Sequence, residues 1–297
     1  MLTPTYGMGD GFSTFDFSVL NVGHPHEVMT SQKLIDIARK GMRNLKEPYF
    51  VWVHFFDPHF AYLEHPQYAF GASDIDRYDA EIAYTDYYVD ELLKVTARKN
   101  TVIVFTSDHG EEFGEHQGQY HYTLHGEVTR TPLVIKAPGL SHRTDDRIVE
   151  QTDFLPTILN LLAVEAPPGL PGRDMLAPQP TAHPAFMERE RPPQWRQRAV
   201  ISGNYKLIVV EEADISLVPE SGRSEEIEVT NVHPGIYLYD LSRVPGEQTN
   251  LFARDDSTSL KLLGMLTTHF ATASARPQPV HVDEELLQKL RSLGYVK

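Results

Sequence analysis

Thr101 to Gly110 reads TVIVFTSDHG, an apolar run that stops at a carboxylate, an imidazole and a glycine. Val102, Ile103, Val104 and Phe105 are β-branched or aromatic and leave no polar face. That is the pattern of a strand buried on both sides within a parallel sheet. In open α/β sheets, ligands gather just past the carboxyl ends of such strands. Asp108 and His109 hold that place here, and aspartate oxygen and histidine nitrogen are both metal ligands. Gly110 follows and lets the backbone turn. A plain strand-end turn with Asp108 as a helix cap accounts for the same residues.

The surrounding pattern is that of an α/β chain. Leu34, Ala38, Met42 and Leu45 have helical spacing behind a cap at Thr30 or Ser31. Tyr49 to Phe56, YFVWVHFF, is a second strand candidate, closed by Asp57-Pro58-His59. Asp79 to Ala97 reads as a helix with Tyr78, Ile82, Thr85, Val89 and Leu92 along one stripe and Glu81, Asp86, Asp90 and Glu91 mostly on the other face. Strand, helix, strand at this separation predicts a crossover and parallel pairing. Pro132 to Lys136 gives a third strand, and Asp153 caps a helix carrying Leu155, Ile158, Leu159 and Leu162. Prolines crowd between Ala166 and Pro193, which predicts a junction between a domain over 1–177 and a smaller one over 178–297. Beyond it, Ala199–Ser202 and Tyr205–Val210 flank Gly203-Asn204, a two-residue hairpin signal. Ile236 to Leu241 is a further strand, Glu211 to Glu228 an acidic insertion, and Leu286, Leu290 and Leu293 mark a tail helix.

Bulk composition narrows the partners. The formal charge of −14 argues against a nucleic-acid partner. No apolar run is long enough to span a bilayer, and Met1 to Pro4 lacks the basic start and apolar segment of a signal peptide. The absence of cysteine excludes disulfides, thiolate ligands and any cysteine-derived nucleophile within these residues. The fourteen histidines suffice for metal or acid–base sites.

Three groups fall at strand ends or in the loops beyond them: His54, Asp57 and His59; Asp108 and His109; and Glu111 to Glu127 with His116, His121 and His125. Parallel strands would bring them to one sheet edge. Against this, His54 reads as a core histidine, Asp57-Pro58 as a turn opener, and Asp79 and Asp86 as helix-surface charges. Glu111, Glu112 and Glu115 read as a solvated acidic loop.

The combined pattern resembles the sulfatase family of the alkaline-phosphatase superfamily. VHFFDPHFAY, YDAEIAYTDYYVDELL, TSDHGEEFGEH, TLHGEVTRTPLVIKAPG, QTDFLPTILNLL, YKLIVV, LYDLSRVPGEQTNL and the terminal LRSLGYV carry the likeness, in the family's order. It implies an alkaline-phosphatase-like, largely parallel sheet between helices, followed by a small C-terminal α+β domain with an antiparallel sheet. It also implies hydrolysis of small-molecule or glycan sulfate esters at one divalent cation, calcium first, with manganese or zinc as alternatives. Asp108 and His109 match the metal pair, His59 the active-site histidine, and His121 a cationic group on the sulfate, with His125 as its rival.

The family's nucleophile is a formylglycine made within C/S-x-P-x-R, and no such motif occurs here. The paired acidic ligands near the family's N-terminus are also missing. LTPTYGMGDGFSTFD resembles the segment after the nucleophile, so the chain reads as the C-terminal part of a sulfatase, with little or no turnover alone. The family is often exported; the compartment of this chain is left open. Two other readings stand beside this one. One is a phosphonate or phosphate ester hydrolase, or phosphoryl-type transferase, of the same superfamily. The other is a non-catalytic remnant that binds sulfated glycans.

Overall fold

A computed structural model describes residues 7–21, 28–96, 100–116, 118–177, 183–191, 195–211, 233–243 and 246–273. The chain divides into two compact units, whose described residues are 7–96 and 100–273. The expected tail helix, and all of the acidic insertion except Glu211, lie outside the described residues.

The first unit is helical. α1 (Ser31–Met42) packs against α2 (Asp74–Thr96). Its start is held from a distance: the Asp57 carboxylate accepts the backbone N–H and hydroxyl of both Thr30 and Ser31, at 2.6 to 3.2 Å. Thr30 sits at the N-cap position, but its own side chain caps nothing. Four donors at the helix start, two of them backbone N–H groups and two hydroxyls, therefore converge on one buried carboxylate.

Two expectations for this unit fail. Tyr49 to Phe56 has no regular secondary structure and pairs with no strand among the described residues. An apolar extended run becomes a strand only through a partner ladder, and Phe50 and Trp52 stand 65% and 59% exposed. His54 is exposed as well, so the core reading of it fails. In α2 the buried face is Ala80, Glu81 and Tyr84, whereas Ile82 faces water. The expected stripe missed this because it assigned Glu81 to the solvent side. Asp79 and Asp86 are exposed, as expected.

The second unit carries the strands. β1 (Ile103–Thr106) pairs with β4 (Leu133–Lys136), and the pairing is antiparallel, Ile103 opposite Lys136 and Thr106 opposite Leu133. The parallel partner expected for β1 is the Tyr49 to Phe56 run; among the described residues its partner is β4 instead, because helical spacing constrains where a crossover can occur but not which strand becomes the neighbour. Phe105 and Val134 remain exposed on this two-stranded sheet, so β1 is not covered on both faces. β2 (Glu112–Phe113) and β3 (Gln119–Tyr120) form a short hairpin, α3 (Gly126–Thr129) is one turn, and α4 (Phe154–Leu161) starts after Asp153.

A four-stranded antiparallel sheet completes this unit, in the order β5 (Ala185–Arg191), β6 (Trp195–Ser202), β7 (Tyr205–Glu211), β8 (Gly235–Asp240). Ser202 pairs with Tyr205 across the expected two-residue loop, where Gly203 adopts φ 57°. The left-handed region costs glycine nothing, so the hairpin closes without strain. α5 (Ser257–Ala273) packs on one face. Its Leu262, Leu266 and Phe270 recur every four residues and bury against Val200, Leu207 and Leu238. Each such side chain contributes roughly 1.5–3 kcal/mol. The opposite face covers Leu124 with Ala199, Ile208, Val210 and Tyr239. The loop after β1 is therefore seated on the antiparallel sheet.

Candidate active site

In the second unit, Asp108 and His109 follow β1 directly. The Asp108 carboxylate accepts the His109 backbone N–H at 3.0 Å and is 69% exposed. Gln151 donates its side-chain amide to the carbonyls of Ser107 and Asp108, at 3.1 and 2.8 Å, and fixes the backbone beneath. His109 Nδ1 lies 2.8 Å from the Gly110 carbonyl oxygen. A carbonyl only accepts, so Nδ1 carries the proton and Nε2 keeps the lone pair. Nε2 is 3.9 Å from Asp108 Oδ2. A metal-ligating histidine commonly donates its second ring N–H in just this way.

Gly110 is required by closeness. Its N–H donates to the Val128 carbonyl at 2.7 Å, and a Cβ built there would lie 2.1 Å from the Glu127 carbonyl oxygen. The expected turning role is thereby corrected, because Gly110 is not among the glycines of positive φ.

His121 joins the pair. Its ring stacks on that of His109 with centroids 4.3 Å apart, and its Nδ1 is 3.9 Å from Glu111 Oε1. Arg189, on β5, donates to the His121 carbonyl and lies over the Tyr122 ring at 5.0 Å. Gln197, on β6, donates to the Tyr122 carbonyl at 3.0 Å. Neither residue stood out in the sequence, because each is a polar strand residue some 70 positions away, 68 for Arg189 and 75 for Gln197.

The acidic loop is not solvated as expected. Glu115 is exposed, but Glu111 and Glu112 are buried. Glu112 accepts the backbone N–H of His116 and Gly118 at 3.0 and 3.3 Å and the Thr123 hydroxyl at 2.7 Å. It closes the loop on itself, and these three hydrogen bonds offset the cost of burying the carboxyl group.

His116 and His125 form a second, enclosed pair, stacked 3.9 Å apart. His116 Nε2 is 3.2 Å from Glu127 Oε2. Burial first, and then the neighbouring His116 and Lys206, push His125 down to about 3, so it stays neutral near pH 7. Its Nε2 lies 3.4 Å from the Tyr239 hydroxyl. Beside them Lys206 and Glu247 form an ion pair at 2.8 Å, their side chains 1% and 5% exposed. Glu247 also accepts the Gly126 N–H at 2.7 Å, and Lys206 donates to the Thr129 hydroxyl at 3.2 Å. The donor atoms of His116, Glu127 and Glu247 come within 4.8 Å of one another, but Lys206 already supplies the positive charge there.

His59 belongs to the first unit. Its ring stacks on Phe56 at 4.6 Å, and its Nδ1 is 2.6 Å from the Phe60 carbonyl oxygen, which again leaves Nε2 as the basic nitrogen. Asp57 is spent on the start of α1 and is not a ligand candidate.

The model for the sulfatase family matches residues 11–164, over half of the chain. The chain belongs to the sulfatase family. It is 40% identical over 81 residues to the uncharacterised sulfatase YidJ of Escherichia coli K12, a stretch covering 27% of this chain and 16% of that one. Among solved structures, it is similar to BT4656 in complex with D-glucosamine-2-N,6-O-disulfate, with a TM-score of 0.51 and 23% identity, over 68% of this chain and 42% of that one. It is also similar to the phosphonate monoester hydrolase of Agrobacterium radiobacter, with a TM-score of 0.50 and 21% identity, over 71% and 44% of the two chains. These matches span less than half the length of each protein compared. The likeness is one of fold, and it agrees with the alkaline-phosphatase-like α/β fold expected from the sequence. Among the described residues, no helix is long and apolar enough to cross a membrane.

Proposed function

We propose that this chain supplies the metal-binding and leaving-group side of a one-metal sulfate-ester hydrolase site. Asp108 through its carboxylate and His109 through Nε2 would hold one divalent cation. Calcium is the first candidate, with manganese or zinc as alternatives that the nitrogen ligand admits. Such a cation, when bound, polarises the sulfuryl oxygens as a Lewis acid. The residues fit it: the Asp108 carboxylate is open, and His109 commits Nδ1 to the Gly110 carbonyl. Two ligands fall short of the four to eight that these cations take, so further donors must join them.

His121, beside His109, is the group for the sulfate oxygens. His59, with Nδ1 engaged by Phe60, offers Nε2 to carry a proton to the departing alcohol oxygen. The likeness to a protein solved with a disulfated glucosamine supports a small sulfated sugar or glycan as substrate. No C/S-x-P-x-R is present to yield a formylglycine, so the chain by itself turns over sulfate esters little or not at all.

The observation that carries this reading is the His109 ring, locked by its own backbone with Nε2 on the Asp108 side and His121 stacked upon it. Calorimetric titration of calcium and manganese into the full chain and its Asp108→Ala variant tests it, alongside hydrolysis of 4-nitrophenyl sulfate. The expected result is weak metal binding that falls at least tenfold in the variant, with hydrolysis at background. Metal binding indifferent to Asp108 would overturn the site. Rapid metal-dependent hydrolysis would overturn the catalytic incompleteness.

A further inference from the structure

α2 carries a carboxyl group that the proposed chemistry leaves unused. Glu81 is buried in the middle of that helix, where a solvent-facing glutamate was expected. Its Oε1 accepts the Leu63 backbone N–H at 3.0 Å, and the carboxylate also accepts a backbone hydrogen bond from His59. Thr85 stands one turn further along the helix and donates its hydroxyl to the Asp57 carbonyl at 3.2 Å. Residues four apart share a helix face. One face of α2 therefore grips the segment around His59 at positions 57, 59 and 63.

The second oxygen of Glu81 is not so engaged. Among the described residues, Oε2 has no hydrogen-bond partner, and neither ring nitrogen of the buried His65 has one. His65 Nε2 lies 3.7 Å from Glu81 Oε1, and its ring packs on Tyr84 with centroids 4.3 Å apart. Buried polar atoms without partners are costly, so each one in a folded protein calls for a physical reason. The charged or titratable groups facing Glu81 are His65 and His59 on the gripped segment, Asp57 at its start, and Tyr84 on α2 itself.

We propose that Glu81 is a positioning residue for His59, an internal carboxyl that sets the backbone of the His59 to Leu63 loop and changes its grip when it gains or loses a proton. Because the role of His59 comes from the proposed function, this inference rests on that reading. The ionised form is the stronger acceptor for both backbone N–H groups. The protonated form puts a hydrogen on a buried oxygen and weakens the hold. Burial, reinforced by the Asp57 charge, pushes Glu81 up to about 8.

The test reads His59 directly and needs no turnover. The full chain, labelled with ¹⁵N and with ¹³C in its histidine rings, is titrated from pH 5 to 10 by NMR. The expected result is a step near pH 8 shared by the Leu63 amide, the His59 amide and the His59 ring, separate from the ring's own titration. Glu81→Gln removes that step and keeps the ring's own. A passive structural role moves neither signal with pH. A Leu63 amide with no step in that range overturns the proposal, and so does a step that survives in Glu81→Gln. Should that variant fail to fold, the wild-type Leu63 titration decides alone. Metal binding indifferent to Asp108 would count against the proposed site and with it the role given to His59, whereas this titration bears only on Glu81.

Discussion

His109 and His121 lie ring on ring, 4.3 Å between centroids and 29° from parallel. The stack brings the proposed metal ligand and the proposed sulfate contact side by side. An oxyanion that reaches a cation at His109 meets the His121 ring at the same step. His121→Ala should therefore leave divalent-metal affinity in place and weaken sulfate binding to the metal-loaded chain roughly tenfold or more, the size of one hydrogen bond to a charged group. Calorimetry with sulfate, at saturating metal, reads this.

Gly110→Ala should be disproportionately harmful for so small a change. The new methyl would meet the Glu127 carbonyl oxygen, which belongs to the backbone and cannot rotate away. The expected cost is about 1–3 kcal/mol, the range for overpacking a tight site, with metal binding lost in parallel because His109 is the preceding residue. Urea unfolding and metal titration of the same variant check both parts.

Lys206→Met leaves Glu247 buried beside Gly126 without its counter-charge. The expected loss is ~3–5 kcal/mol of stability. Lys206→Met with Glu247→Gln should recover a large part of it, since glutamine still offers an oxygen to the Gly126 N–H and carries no charge. Urea midpoints of the two variants decide the order.

His125 gives the second unit an acid-sensitive limb. Its folded pKa, pushed down to about 3, is below the ordinary histidine value of 6.5. Between those limits the unfolded chain binds a proton that the folded chain refuses, so stability falls as pH falls from 6.5 toward 3. The slope is at most about 1.4 kcal/mol per pH unit. His125→Asn should flatten this limb relative to wild type in chemical unfolding at pH 4, 5 and 6.

Asp57→Ala should loosen α1, whose first residues hand both backbone and hydroxyl hydrogens to that carboxylate. A lost N-cap alone costs about 0.5–2 kcal/mol, and the buried Thr30 and Ser31 donors left behind add to it. Hydrogen exchange at the Ser31 amide is the local readout.

The strand end at Asp108 and His109 was legible because local signals suffice for it: a β-branched run, then two ligand-type residues, then glycine. The Gly203-Asn204 hairpin was legible for the same reason. The partners across the fold were not. Nothing near Arg189 marks it as the anchor of His121, and nothing near Lys206 marks it for Glu247. Glu81 and Glu112 were misread because a glutamate among charged neighbours looks solvated until its backbone donors are known. The partner of β1 was misjudged because it meets β4, and not the Tyr49 to Phe56 run, through pairing that no local pattern encodes. α5 went unnoticed although Leu262, Leu266 and Phe270 stand four apart, behind an Asp256 whose carboxylate accepts the Ser259 N–H at 2.7 Å.

Phe50 and Trp52 in the first unit, and Phe105 and Val134 in the second, face water. Side chains of this kind light up hydrophobic dyes, cling to phenyl resins and recruit holdase chaperones in a cell. Purified at high concentration, the protein should scatter light before it loses secondary structure, so handling conditions that cover apolar surface, such as mild detergent, matter more for it than those that tune its charge.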